Sequence, residues 1–262
     1  MLAYALTDSG KVRKTNQDYI FFSQEPVGIL DNLLLLADGM GGQRAGDFAS
    51  RYVVENLQQY LATEELEPGI SITEYLKNGI SQVNAGLYMK AEQSEELQGT
   101  GTTLVVATIK DHILYVANIG DSRLYLIRDN MEQVTKDHSY VEEMVAMGRM
   151  TRGSRDYQNK KNIITRAMGA GSMVSVDIFT RKVLPGDVLL LCSDGLTNMV
   201  DEMEIEYIIR SEGDLKKKAE DLIEAANRNG GKDNISVILA MPEKEEFALH
   251  LPAAESGEVE IC

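Results

Sequence analysis

Short apolar runs separated by polar turns recur along the chain and predict a protein rich in β-strands. Residues 33–37 (LLLLA) form a continuous apolar run, which is typical of a buried strand. Residues 102–109 and 112–118 form two further apolar runs, joined only by Lys110-Asp111. Because so short a connection joins antiparallel neighbours, these two runs predict a β-hairpin.

The same pattern continues in the second half of the chain. Two runs surround an Asp-Asn turn at 129–130, and two surround a Pro-Gly-Asp turn at 185–187. We expect each pair to be antiparallel, and we expect a last strand at 235–240. The four runs are 123–128, 131–134, 176–184 and 188–192.

Helical periodicity covers about 44–61, 71–93 and 213–229. Antiparallel hairpins with helices between them are not the pattern of a doubly wound parallel sheet. The sequence therefore predicts an α+β fold, with antiparallel sheets packed together and helices outside.

Four aspartates share one kind of setting. Asp38, Asp121 and Asp194 each follow a predicted strand, and Asp233 precedes the last one. Each has Gly, Ser or Asn beside it, so any one of them alone fits an ordinary strand-end turn. Four such positions together favour a shared cluster of carboxylates.

Such a cluster needs cations. Two carboxylates ~5 Å apart repel by about 3 kcal/mol at an effective dielectric of 20. Ligands that are all oxygen favour hard divalent ions, Mg²⁺ or Mn²⁺, over zinc. Two such ions can share a water, lower its pKa and direct it at phosphorus. Such a cluster would therefore be suited to the hydrolysis of a phosphate ester.

Net charge and apolar content exclude several partners. The 262 residues include 26 basic and 41 acidic side chains, a formal net charge of −15. Nucleic acids and anionic membranes bind positive surfaces, so we expect neither as the main partner. No apolar run approaches ~18 residues, and residues 1–8 carry no basic stretch. We therefore expect no membrane span and no secretory signal.

Cysteine and histidine are scarce. Cys192 lies inside an apolar run, Cys262 is the last residue, and three histidines are scattered. This excludes a disulfide framework and a cysteine-based zinc site. We expect a reducing, cytoplasmic location.

Eight motifs over residues 10–240 have the order and spacing of a known family. They are GKVRKTNQD (10–18), ADGMGG (37–42), GTGTTL (99–104), NIGDSR (118–123), DHS (137–139), IITRAMG (163–169), CSDGL (192–196) and GKDNIS (231–236). Through them the chain resembles the metal-dependent protein phosphatases, the protein phosphatase 2C-like (PPM) family, in its bacterial form. The resemblance implies a four-layer αββα sandwich, with two antiparallel β-sheets flanked by helix pairs, and a flap subdomain at about 139–172.

The resemblance also implies two core metal ions, Mn²⁺ or Mg²⁺. Asp38 would bridge them, and the carbonyl of Gly39 would ligate one of them. Asp194 and Asp233 would bind the other directly.

Three more residues gain implied roles. Asp18 would hold metal-bound water from the second coordination shell. Asp121 would pair with Asp194 at a third, weaker metal site found in bacterial members. Arg13 would bind the substrate phosphate with its planar fork of donors. Arg13, Asp18 and Asp38 are thus the expected catalytic residues.

Three positions depart from the family pattern. Met40 stands where eukaryotic members often have a histidine that acts as general acid. Gln158 occupies the place where many bacterial members have a histidine before the Asn-Ile-Ile-Thr-Arg segment. Gln17 replaces the first acid of the 13–18 motif. None of these is a direct ligand of the core metals.

The expected activity is that of a metal-dependent protein serine/threonine phosphatase, which attacks the phosphoester directly with water and forms no phosphoenzyme. Cys192 is not followed by the arginine of a Cys-x5-Arg phosphatase. We expect phosphorylated proteins as substrates, a Ser/Thr kinase of the same cell as the opposing enzyme, and a monomer. Two alternatives remain: a non-catalytic domain of this fold that binds phosphoproteins or a regulator, and a phosphatase dedicated to one partner, such as a regulator of sigma-factor control.

We expect a phosphatase domain at 1–241 and a flexible acidic tail at 242–262, where glutamates outnumber Lys244. Within the flap, residues 149–166 contain six basic side chains and one acidic side chain, Asp156. The basic residues are Arg149, Arg152, Arg155, Lys160, Lys161 and Arg166. Either they attract the anionic substrate, or they belong to a solvated loop.

Overall fold

Eleven strands and seven α-helices make up the described part of the chain. The computed structural model describes residues 1–41, 45–63 and 69–242, so the predicted tail lies outside the described residues except for Pro242. The strands are β1 (Leu2–Asp8), β2 (Asp18–Ser23), β3 (Leu33–Met40), β4 (Gly101–Thr102), β5 (Leu104–Lys110), β6 (Ile113–Ile119), β7 (Arg123–Ile127), β8 (Met131–Gln133), β9 (Asp177–Lys182), β10 (Val188–Cys192) and β11 (Ile235–Met241). The helices are α1 (Ala45–Thr63), α2 (Ile72–Glu92), α3 (Tyr140–Ala146), α4 (Arg155–Lys160), α5 (Asp194–Thr197), α6 (Glu202–Arg210) and α7 (Leu215–Arg228).

The strands form two antiparallel sheets. One has the order β1-β11-β10-β7-β8, and the other has the order β2-β3-β5-β6-β9 with β4 paired to β3. The hairpins predicted around residues 110–111 and 129–130 are confirmed as β5–β6 and β7–β8.

Both faces of the central strands are buried, which explains the unbroken apolar run in β3. Leu34 and Leu36 join the core between the two sheets, while Leu33 and Leu35 pack toward α1 and α2. On the outer face of the other sheet, a third core contains residues of α6 and α7. Because neighbouring side chains of a strand point to opposite faces, such a strand is apolar throughout. The predicted four-layer sandwich is confirmed.

The antiparallel pair expected around residues 185–187 is wrong. β9 pairs with β6 in one sheet, whereas β10 pairs with β7 and β11 in the other. The link between them therefore crosses from sheet to sheet. Val183 is buried in the core between the sheets, and the buried Asp187 accepts the N–H of Leu184 at 2.8 Å. These contacts stabilise a crossing over the ~10 Å that separates packed sheets.

Helix starts follow their capping chemistry. Ser71 caps α2 in a reciprocal capping box with Glu74, which agrees with the predicted start at residue 71.

Among the described helices, none combines the length and apolar character that a bilayer crossing requires.

Candidate active site

A cleft of about 240 Å³ opens at one end of the sandwich, and acidic side chains line it. Six of the seven residues predicted from the sequence lie on its wall: Arg13, Asp38, Gly39, Asp121, Asp194 and Asp233. The seventh, Asp18, is buried beside the cleft. The segments that carry these residues are far apart in the chain, and the fold brings them together.

Strand pairing places Asp18 next to Asp38. The two residues are directly opposite each other in the antiparallel pair β2–β3. The backbone of Asp38 is fixed from the other side by Thr103: the N–H of Asp38 donates to Thr103 Oγ1, and the N–H of Thr103 donates to the carbonyl of Asp38, each at 2.9 Å. The backbone of Asp38 is therefore held by β2 on one side and by Thr103, between β4 and β5, on the other.

A backbone contact at Gly195 brings Asp194 toward Asp233. A Cβ atom at Gly195 would lie 1.9 Å from the carbonyl oxygen of Asn234, so only glycine permits this approach. The hydroxyl of Ser193 donates to Asp18 Oδ2 at 2.7 Å. Residues 193–195 thus connect the end of β10 to both other parts of the acidic wall.

Gly39 shows the same requirement at the start of α1. A Cβ atom at Gly39 would lie 2.0 Å from the carbonyl oxygen of Gly46. This close approach packs the first turn of α1 against the end of β3.

Arg13 reaches the cleft from a loop that packs on residues 231–234. Its guanidinium forms an ion pair with Asp233 at 2.8 Å. Asn234, which sequence reasoning did not single out, anchors this loop: its Nδ2 donates to the carbonyls of Ser9 at 3.0 Å and Thr15 at 2.9 Å. Its position in the GKDNIS motif was the available signal.

Comparison with known proteins identifies the family of the chain. The family model for "Protein phosphatase 2C" matches residues 10–240. The chain belongs to the protein phosphatase 2C family. The matched range includes all eight motifs, so the family prediction is confirmed.

Three bacterial relatives illustrate the match. The chain is 41% identical over 240 residues to the serine/threonine phosphatase stp of Listeria innocua, covering 89% of this chain and 92% of that protein. It is 38% identical to the protein phosphatase PhpP of Streptococcus pneumoniae, covering 92% and 97%. The crystal structure of serine/threonine phosphatase Stp1 from Staphylococcus aureus superposes with a TM-score of 0.84 at 36% identity, covering 92% of this chain and 94% of that one.

Burial and the charges of neighbouring carboxylates raise the pKa of four aspartates in and beside this cleft. Burial raises the pKa of Asp194 to about 6, and the charge of Asp233 adds to the effect. Burial raises the pKa of Asp121 to about 8, with Asp194 contributing. Burial raises the pKa of Asp18 to about 6, and hydrogen bonds from Ser236 and Ser193 partly offset this rise. Burial and the surrounding aspartates also raise the pKa of Asp38.

These donors fit hard divalent cations. The ionisable side chains that line the cleft, apart from Arg13, are all carboxylates, and Asp18 Oδ1 beside it is buried without a hydrogen-bond partner. Within residues 1–41, 45–63 and 69–242, no three acidic, histidine or cysteine side chains are close enough to hold one ion by themselves. A centre here would be completed by a backbone carbonyl and by water, as Mg²⁺ sites commonly are.

Proposed function

We propose that the chain is a metal-dependent protein serine/threonine phosphatase that hydrolyses phosphoserine and phosphothreonine by direct attack of water. One observation carries the proposal: aspartates from four separate segments line one cleft with Arg13 at its edge. Membership of the phosphatase 2C family supports it.

We assign the binding of two core ions, Mn²⁺ or Mg²⁺, to Asp38, Asp194, Asp233 and the carbonyl of Gly39, all of which line the cleft. Asp121 would serve a third, weaker site together with Asp194. When bound, the cations lower the pKa of a shared water and direct it at phosphorus. Their charge also compensates the repulsion that raises the pKa of the carboxyl groups.

Asp18 stands behind this cluster as a hydrogen-bond acceptor. Oδ2 accepts the hydroxyl of Ser193, whereas Oδ1 is unpartnered. The free oxygen supports a role in orienting water, which is the role that we assign to Asp18.

Arg13 is the proposed phosphate ligand. Half of its side chain is exposed while one nitrogen contacts Asp233, so its other N–H groups can meet a phosphate that enters the cleft. A guanidinium can bind two phosphate oxygens at once, which an ammonium group does less well.

Protonation of the leaving group requires water. Met40 lies in the cleft wall where a general acid would be useful, and a thioether carries no proton to donate. We therefore assign the proton on the departing serine or threonine oxygen to a water molecule of the cleft.

Side-chain contacts reduce the number of basic flap residues that are available to attract an anionic substrate. Arg152 pairs with Glu142, Arg166 pairs with Asp177, and Lys160 lies over the ring of Tyr140. Lys161 instead lines a second cavity that also includes Asp194. We propose that Lys161, rather than the whole basic segment, attracts the phosphorylated peptide.

The remaining proposals concern context. We propose a phosphatase domain at 1–241 that includes the flap at about 139–172, and an active monomer that opposes a Ser/Thr kinase of the same cell. The buried, free thiol of Cys192 is compatible with a reducing cytoplasm. The alternative of a non-catalytic domain is disfavoured because Asp38, Asp194 and Asp233 all line the cleft.

The decisive experiment is an assay on a phosphothreonine peptide. We expect phosphate release with Mn²⁺, none with EDTA, and a loss of activity of about a hundredfold or more in Asp194→Asn. Asp201→Asn is the matched control, because Asp201 caps α6 and asparagine caps a helix equally well. Activity that persists in EDTA, or in Asp194→Asn, would reject the proposal.

A further inference from the structure

His138 lies between two parts of the cleft wall that are separate in sequence. Its side chain is 7% exposed. On one side, the N–H of Gly120 donates to His138 Nδ1 at 3.0 Å, and the N–H of His138 donates to the carbonyl of Gly120 at 2.9 Å. Gly120 immediately precedes Asp121 and packs against Thr103 so closely that a Cβ atom at Gly120 would lie 2.6 Å from Thr103 Cγ2. Thr103 in turn accepts the backbone N–H of Asp38. The position of His138 therefore bears on the acidic wall.

On the other side, His138 contacts the returning end of the flap. Its carbonyl accepts the N–H of Thr165 at 2.8 Å, next to Ile164, which lines the cleft. His138 Nε2 lies 3.1 Å from Asp177 Oδ2, and Asp177 Oδ1 accepts from Arg166 at 2.7 Å. The imidazole ring thus joins the Asp121 turn to the base of the flap.

These contacts decide the tautomer. Because the Gly120 N–H donates to Nδ1, that nitrogen carries no proton. The proton of the neutral ring then sits on Nε2, where Asp177 is the acceptor. Arg166, 3.0 Å from Nε2, has Asp177 and the carbonyl of Ser175 as its own acceptors.

We propose that His138 is a positioning residue, which in its neutral Nε2–H tautomer fixes the Asp121 turn relative to the flap. The functional part of this inference rests on the proposed phosphatase activity, since it concerns how the flap and Asp121 meet the same substrate. The structural part concerns Gly120 and Asp177 alone.

Two substitutions separate the two halves of the contact. In His138→Asn, the side-chain oxygen lies about where Nδ1 was, so the acceptor for Gly120 is kept and the donor to Asp177 is lost. In His138→Gln, the longer amide reaches the place of Nε2, so the donor is kept and the acceptor is lost. His112→Asn is the matched control. His112 lies in the turn between β5 and β6, at the end of β6 that is far from Gly120.

The first readouts need no activity. In wild-type protein, nitrogen-15 NMR of the histidine rings should show Nδ1 without a proton and Nε2 with one. Exchange of the Gly120 amide hydrogen should stay slow in wild type, in His138→Asn and in the control, and should become about tenfold faster in His138→Gln. A protonated Nδ1, or equally fast exchange in both variants, would overturn the proposal.

The second readout is kinetic. In His138→Asn we expect KM for a phosphothreonine peptide to rise about threefold or more, while hydrolysis of a small aryl phosphate is unchanged. In His138→Gln we expect kcat to fall about tenfold on both substrates, and Mn²⁺ to bind more weakly in titration calorimetry. Equal losses in both variants would indicate a merely structural residue and would overturn the proposal. If His138→Gln does not fold, the tautomer of the wild-type ring and the kinetics of His138→Asn still test the proposal. If the wild-type protein has no phosphatase activity, the proposed function fails, while NMR and exchange still test the contact itself.

Discussion

Replacing Asp194 by asparagine should stabilise the metal-free protein. Asp194 is a half-buried carboxylate whose pKa is raised to about 6 by burial and by Asp233. A raised pKa means that the folded state disfavours the ionised form. Asparagine has nearly the same shape and no charge, and its oxygen can still accept the Nδ2–H of Asn198, which lies 2.8 Å from Asp194 Oδ2. The substitution therefore removes a repulsion without removing a contact.

The size of the effect follows from the pKa. A rise from 3.8 to about 6 is a shift of about two pKa units, or about 3 kcal/mol at pH 8. This is an upper limit, because Asp194 keeps contact with cleft solvent, and we expect about 1–3 kcal/mol. The sign depends on pH: below about pH 4 the carboxyl is protonated in both states and the gain vanishes, and above about pH 6 it is complete.

Divalent cations should stabilise the wild-type protein more than the Asp194→Asn variant. Wild-type protein should gain about 2.7 kcal/mol of unfolding free energy at a hundredfold excess of Mn²⁺ over its Kd. A variant that binds a hundredfold more weakly should gain only about 0.4 kcal/mol under the same conditions.

Urea unfolding at pH 4 and pH 8, with EDTA or with Mn²⁺, measures both quantities. Asp201→Asn removes the same charge at a helix cap and should change stability by less than about 0.5 kcal/mol. If Asp194→Asn lowers the stability of the metal-free protein at pH 8, or if Mn²⁺ stabilises both proteins equally, the electrostatic account of the cleft is wrong.

Three further predictions concern pH, phosphate binding and the flap. In EDTA, wild-type stability should fall as pH rises from about 4 to about 8, because the pKa values of Asp18 and Asp194 are raised to about 6 and that of Asp121 to about 8. Urea midpoints across this range check it, and a flat profile would contradict it. Arg13→Lys should lower kcat/KM for a small aryl phosphate about tenfold or more. The urea midpoint should not change, because the ion pair of Arg13 with Asp233 is exposed. Unchanged kinetics would show that Arg13 does not bind the phosphate. Lys161→Gln should raise KM for a phosphopeptide about threefold, because Lys161 lines the cavity that includes Asp194. Lys160→Gln should leave KM unchanged, because Lys160 lies over the ring of Tyr140. Identical effects would mean that the basic flap residues belong to a solvated loop and do not attract the substrate.

The fold was predictable where both faces of a strand or one stripe of a helix are buried. The run at 33–37 lies in β3, and the periodicity at 71–93 corresponds to α2, with its capping box at Ser71. Burial on two faces removes all polar side chains from a strand, so this signal is local and strong.

The edge strands β1 and β2 were not predicted, and neither was the short helix α6, although it buries a stripe of Ile205, Ile208 and Ile209. The strands β1 (Leu2–Asp8) and β2 (Asp18–Ser23) lie at the edges of their sheets, and most of their residues are only half-buried. Each contains a short apolar run, LAYAL at 2–6 and YIFF at 19–22, but neither run is joined to a neighbouring run by a short turn that would mark a hairpin. The crossing between β9 and β10 was missed for a different reason: a Pro-Gly-Asp turn has the same sequence whether it joins two strands of one sheet or passes between sheets.

The acidic wall could be predicted as a set of residues but not as an arrangement, because its carboxylates repel one another. Their closeness has to be imposed by backbone contacts that local sequence rules do not describe. Gly195 lies against the carbonyl of Asn234, and Gly39 lies against the carbonyl of Gly46. In each case a methyl group would separate two segments that carry or adjoin an aspartate. The glycines of the ADGMGG and CSDGL motifs therefore do more than form turns: they allow the close approach of the acidic segments, and from that approach we expect divalent cations to stabilise the fold.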